Sequence, residues 1–112
     1  MRIAIVDDIA SERTLLRDRL EQQLGRRGVH ADLTEFENGE TFLKAAKERP
    51  FTVLFLDIYM DGANGIEIAR ELRGFDPDCL LIFTTTSTDH ALDGFKVRAL
   101  HYLENHYTDS ID

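Results

Sequence analysis

Acidic residues stand at the ends of two short apolar runs in this chain. Ile3-Ala4-Ile5-Val6 meets Asp7-Asp8, and the run from Phe51 to Leu56 meets Asp57. A third apolar run, Leu80 to Phe83, ends in hydroxyls at Thr84, Thr85 and Thr86. Carboxylates brought within a few Å repel one another and raise one another's pKa. A hard divalent cation relieves that repulsion. Magnesium takes oxygen ligands in near-octahedral geometry and keeps several of its waters. Asp8 and Asp57 are candidates for direct ligands, Asp7 for a direct or water-mediated one, and the backbone carbonyl of Tyr59 for a further oxygen. A cation beside a carboxylate suits phosphoryl transfer, with Asp57 as nucleophile and the cation neutralising charge on the transferring oxygens. Thr85 is then placed to hydrogen-bond the new phosphoryl oxygens. The bland alternatives are that Asp7 and Asp8 cap a helix and that the threonines form a polar loop. Agreement among three run ends favours a site.

Those residues converge only if the runs are neighbouring strands. Between them lie amphipathic stretches. From Ser11 to Arg27, Leu16, Leu20 and Leu24 recur every fourth position, which predicts a helix. Gly25 and Gly28 mark its end. Residues 31–36 alternate and predict an outer strand, and Asn38-Gly39 predicts a turn. Glu40 to Arg49 predicts a helix carrying Phe42, Leu43 and Ala46, ended by Pro50. Gly62 and Gly65 flank a loop before a helix over Ile66 to Arg73, with Ile66, Ala69 and Leu72 inward. A short helix around His90 to Phe95 and a fifth strand over 99–103 complete the pattern. Continuous apolar strands alternating with helices imply a parallel sheet covered on both faces. Its functional crevice lies beyond the carboxyl ends of the strands.

Composition narrows the function classes. The 112 residues fit one domain, and 21 acidic against 13 basic residues give a net charge of -8. That balance argues against gripping nucleic acid through this domain's own surface. The single cysteine, Cys79, lies in an apolar run. It reads as a small buried apolar residue, and its isolation excludes an internal disulfide or a thiolate metal cage. This usage fits a reducing cytoplasm. The N-terminal apolar run has four residues before acid, too few for a signal peptide or membrane span.

The segments Ile3-Ala4-Ile5-Val6-Asp7-Asp8, Leu54-Phe55-Leu56-Asp57-Ile58-Tyr59-Met60-Asp61-Gly62 and Gly65-Ile66-Glu67 occur in that order. Together they resemble the receiver domain of bacterial two-component response regulators, over nearly the whole chain. The resemblance implies a receiver domain across residues 1–112. It implies a flavodoxin-like (βα)5 fold, a doubly wound parallel sheet in the order 2-1-3-4-5. It also implies phosphorylation from a sensor histidine kinase with magnesium as cofactor. Such a domain is a phosphoacceptor that catalyses its own phosphorylation and dephosphorylation rather than an ordinary enzyme. By resemblance, Asp57 is the acceptor and Asp7 and Asp8 the acidic pair. Thr85 is the switch hydroxyl, Thr86 the small residue after it, and Tyr102 the switch aromatic. The segment Ala91 to Leu103 is similar to receivers that precede a LytTR-type DNA-binding domain. The implied output is transcription regulation, with DNA contacted by a domain absent from this chain.

Two departures stand out. Family receivers carry Lys-Pro shortly after the position of Tyr102, whereas here Asn105 takes the lysine position and His106 the proline position. Asparagine donates hydrogen bonds but brings no charge. The family's last helix would start near Thr108, yet the sequence stops at Asp112, so that helix is expected to be truncated or missing. Apolar groups such as Leu80 and Leu103 would lose cover, which favours association and predicts either a homodimer or a chain cut from a longer protein. The alternative function is a degenerate receiver acting as a phosphorylation-independent interaction module. A flavin binder is disfavoured, because Asp7-Asp8 would repel a phosphate where such a fold wants a phosphate-binding loop.

Overall fold

The computed structural model describes residues 1–60, 63–85 and 101–104, with backbone alone for Ala63, Thr85 and the last four. The elements in order are β1 (Arg2–Val6), α1 (Ala10–Arg26), β2 (Asp32–Phe36), α2 (Gly39–Glu48) and β3 (Val53–Asp57). There follow β4 (Tyr59–Met60), β5 (Ala63–Asn64), α3 (Gly65–Phe75), β6 (Leu80–Thr85) and β7 (His101–Glu104). Five strands form one sheet in the order β2-β1-β3-β6-β7, all in parallel pairs. β4 and β5 form a separate two-residue antiparallel ladder. With that ladder set aside, the order is the expected 2-1-3-4-5.

The apolar runs are continuous because both sheet faces are covered. Alternate residues point to opposite sides of a strand. Ala4, Val6, Leu54, Leu56, Leu81 and Phe83 therefore pack with Phe42 and Leu43 of α2 and Ile66, Ala69 and Leu72 of α3. Ile3, Ile5 and Phe55 pack on the other face against Leu16 and Leu20 of α1, with Leu24 partly buried beside them. Full burial of one such side chain contributes about 1.5–3 kcal/mol. These two layers hold the strand ends level with one another.

Local signals explain most boundaries. Past α1, Gly28 adopts φ +66° and its N–H donates to the Gly25 carbonyl (3.2 Å). That left-handed position is the helix stop a glycine best supplies. Gly25 itself lies in the last turn of α1. Asn38 caps α2 rather than forming a free turn, its Oδ1 accepting from the Thr41 N–H at 2.9 Å. Asn64 opens α3 in the same manner through the Ile66 N–H at 2.8 Å. Of the fifth strand expected over 99–103, the described part is His101–Glu104, and residues 99 and 100 lie outside the described residues. The helix expected around His90–Phe95 and the one near Thr108 lie outside the described residues. Among the described residues no helix is long and apolar enough to cross a membrane.

Candidate metal centre

Strand register brings the acids together. Val6 of β1 lies beside Leu56 of β3, and Asp57 lies beside Thr84 of β6. The chain leaves β1 at Asp7, so Asp7, Asp8 and Asp57 emerge at one edge of the sheet. One carboxylate oxygen from each lies within 4.8 Å of the others. Asp7 and Asp57 are only 3% and 6% exposed, and Asp8 is half-buried.

Main-chain groups fix these side chains. The Asp7 N–H donates to the Phe36 carbonyl at 3.1 Å, and Asp7 Oδ1 accepts from the Ile9 N–H at 2.9 Å. Asp57 Oδ1 accepts from the Tyr59 N–H at 3.2 Å. Capping does not account for the pair, because the residue at the cap position of α1 is Ile9, with no side-chain cap bond.

Burial is the largest influence on both buried acids. It raises Asp57 from 3.8 to about 7, and the charge of Asp7 adds to the rise while the Tyr59 N–H opposes it. Burial raises Asp7 from 3.8 to about 6, opposed by the Ile9 N–H and by Arg13. Asp8 and Glu12 push both acids further up. Glu12, in the first turn of α1, has a buried Oε2 with no hydrogen-bond partner among the described residues. A buried, unsatisfied carboxylate oxygen is costly, and a hydrated cation bound nearby would offset that cost. An all-oxygen, strongly anionic donor set fits magnesium.

The remaining candidates divide by element. Tyr59, two residues past Asp57, opens β4 with its amide donating to the Asp57 carboxylate. The Thr85 backbone closes β6 opposite Glu104, and Tyr102 lies beside Phe83 in the register of β6 and β7. The side chains of Thr85 and Tyr102, and all of Thr86, Asn105 and His106, lie outside the described residues. Three nearby residues, Glu12, Arg13 and Glu35, escape sequence reasoning, whereas Gly65 already reads as the end of the loop before α3. Gly65 allows α3 to start against the strand end, because a Cβ there would strike the Asp57 carbonyl oxygen and come within 2.8 Å of Ile58 Cα. Glu12, Arg13 and Glu35 carry no motif. Their signal is only that charged residues sit at helix and strand positions next to the acid-bearing ends.

Comparison with known proteins agrees with this geometry. The response regulator receiver domain family matches residues 3–109. Sensory transduction protein LytT of Oceanobacillus iheyensis is 35% identical over 92% of this chain and 42% of its own length. LytT of Bacillus subtilis is 34% identical over 92% of the chain and 41% of its own. The chain thus spans less than half of these relatives. Among solved structures, response regulator TrrA of Thermotoga maritima, in complex with Mg2+-BeF, superposes with a TM-score of 0.77 at 30% identity. That match covers 92% of this chain and 84% of TrrA. With its parallel sheet, its level strand ends and its triad of aspartates, this chain belongs to the response regulator receiver domain family.

Proposed function

We propose that the chain is a phosphoacceptor switch in which Asp57 receives a phosphoryl group from a sensor histidine kinase. The observation that carries this reading is the meeting of Asp7, Asp8 and Asp57 oxygens within 4.8 Å. Asp7, Asp8 and Asp57, with the Tyr59 carbonyl, would hold Mg2+. When bound, that ion neutralises charge on the transferring oxygens and orients them. Asp57 uses a carboxylate oxygen to form the new bond to phosphorus as the donor's bond to phosphorus breaks. The leaving group departs with the bonding electron pair and takes its proton from solvent, leaving an acyl phosphate. The Tyr59 N–H holds Asp57 Oδ1 during attack. Thr85 then bonds a phosphoryl oxygen, Thr86 leaves room for that movement, and Tyr102 reports it from β7.

Similarity to the LytT proteins, together with the Ala91 to Leu103 segment, supports a LytTR-type output domain and transcription regulation in a longer protein. On this reading the receiver works in the cytoplasm and does not itself touch DNA or membrane. Leu80, 45% exposed, supports a homodimer through this side of the sheet. Light scattering on a chromatographed sample reads that state, and a clean monomer at high concentration counts against it.

Incubation with Mg2+ and acetyl phosphate tests the function. Intact mass should show one phosphoryl increment in the parent and none in Asp57→Asn. A second reading rests on Asn105 and His106 in place of Lys-Pro: a phosphorylation-independent interaction module. It predicts no increment, and partner binding that Asp57→Asn leaves unchanged.

A further inference from the structure

We propose that Arg13 is a positioning residue for the metal centre: it clamps the peptide between Asp7 and Asp8 to strand β2 through Glu35. Arg13 Nη1 donates to the Asp7 carbonyl at 2.7 Å. That oxygen belongs to the peptide joining Asp7 to Asp8, so the contact sets the direction in which both carboxylates leave the chain. Arg13 Nε donates to Glu35 Oε1 at 3.3 Å, and Arg17, one turn on, donates from Nη1 to Glu35 Oε2 at 3.0 Å. Glu35 stands in β2 beside Ile5 of β1. The guanidinium thus ties the β1–α1 junction to the sheet edge. Its bonds go to Glu35 and a main-chain carbonyl, while Asp7 Oδ1 and Asp57 Oδ1 accept from backbone N–H groups instead. Arg13 is 16% exposed in its side chain, against 36% for Arg17. A fork of fixed donors suits this double contact, and lysine cannot make both halves.

Two effects of removing Arg13 have opposite signs. Loss of a nearby positive charge alone would tighten Mg2+ binding. Loss of the clamp weakens it, because groups that orient ligands typically change metal affinity about 10–100-fold. The inference rests on the Mg2+ site proposed above, and the test separates the two. Mg2+ affinity is measured by calorimetry on the parent, Arg13→Ala, Arg13→Lys and Arg17→Ala, with thermal melts alongside. Arg13→Ala should bind about tenfold more weakly, and Arg13→Lys should lie between it and the parent. Arg17→Ala disturbs Glu35 without touching Asp7 and should weaken binding by much less than about tenfold. Unchanged or tighter binding by Arg13→Ala overturns the clamp while leaving the metal site standing. Equal weakening by Arg17→Ala overturns it too, since the effect would then come from the helix. A parent that binds no Mg2+ overturns the site reading and this inference together.

Discussion

Replacing Asp57 with asparagine should stabilise the metal-free protein at neutral pH while abolishing its phosphorylation. Asp57 is 6% exposed, and burial with the neighbouring charge of Asp7 raises its pKa from 3.8 to about 7. Each pKa unit corresponds to about 1.4 kcal/mol, so the ionised carboxylate costs up to about 4 kcal/mol. Relaxation and water entry reduce that ceiling, and about half of it, near 2 kcal/mol, is the expected gain on neutralisation. Asparagine keeps an oxygen for the Tyr59 N–H, so no hydrogen bond need be lost. For a domain of this size the gain corresponds to a rise of about 8 °C in Tm. The assay is thermal unfolding followed by circular dichroism with EDTA at about pH 7.5. Mg2+ should then reverse the order. At about one hundred times its Kd a ligand stabilises the folded state by about 2.7 kcal/mol, which the parent gains and the variant largely forgoes. An Asp57→Asn variant melting at or below the parent in EDTA would refute the claim that repulsion and burial dominate this site.

The same charges set a pH dependence. Asp7 and Asp57 have folded pKa values near 6 and 7, above the ordinary 3.8, so the folded protein holds their protons more tightly than the unfolded chain. Their contribution to stability is full below the unfolded value and is lost as pH rises to about 7. Urea unfolding in EDTA from about pH 5 to about pH 7 should show declining stability, with a shallower decline in Asp57→Asn. Gly65→Ala should cost about 2–3 kcal/mol and weaken Mg2+ binding, since its Cβ would press on the backbone of Asp57 and Ile58. An unchanged Tm would contradict that packing. Cys79, 4% exposed and pushed up by burial to about 12, should resist alkylation in the folded protein and react fully in urea. Rapid native labelling would show the pocket around it to be open.

Most of the architecture is legible because each apolar run is long enough to require cover on both faces. Val6, Leu56 and Phe83 read as buried strand positions, and all three are. The convergence of Asp7, Asp8 and Asp57 follows from parallel register, since each acid ends a run. The β4–β5 ladder escapes because two-residue strands leave no periodicity to detect. Ile68 sits on a helix whose inward face reads as Ile66, Ala69 and Leu72, yet it is equally buried, against Gly39 of α2. Arg13 and Glu35 are invisible to spacing arguments. They are 22 positions apart and meet only because β2 lies beside β1. Long-range ion pairs depend on which strands become neighbours, which local sequence does not encode.

Chemical trapping addresses the central claim most directly. The parent is treated with acetyl phosphate and Mg2+, then reduced with borohydride, which converts an aspartyl phosphate to homoserine. Peptide mass spectrometry then locates the converted residue. The account predicts conversion at Asp57, dependent on Mg2+, with Asp7 and Asp8 unchanged. Conversion at another acid, or none at any, would contradict it.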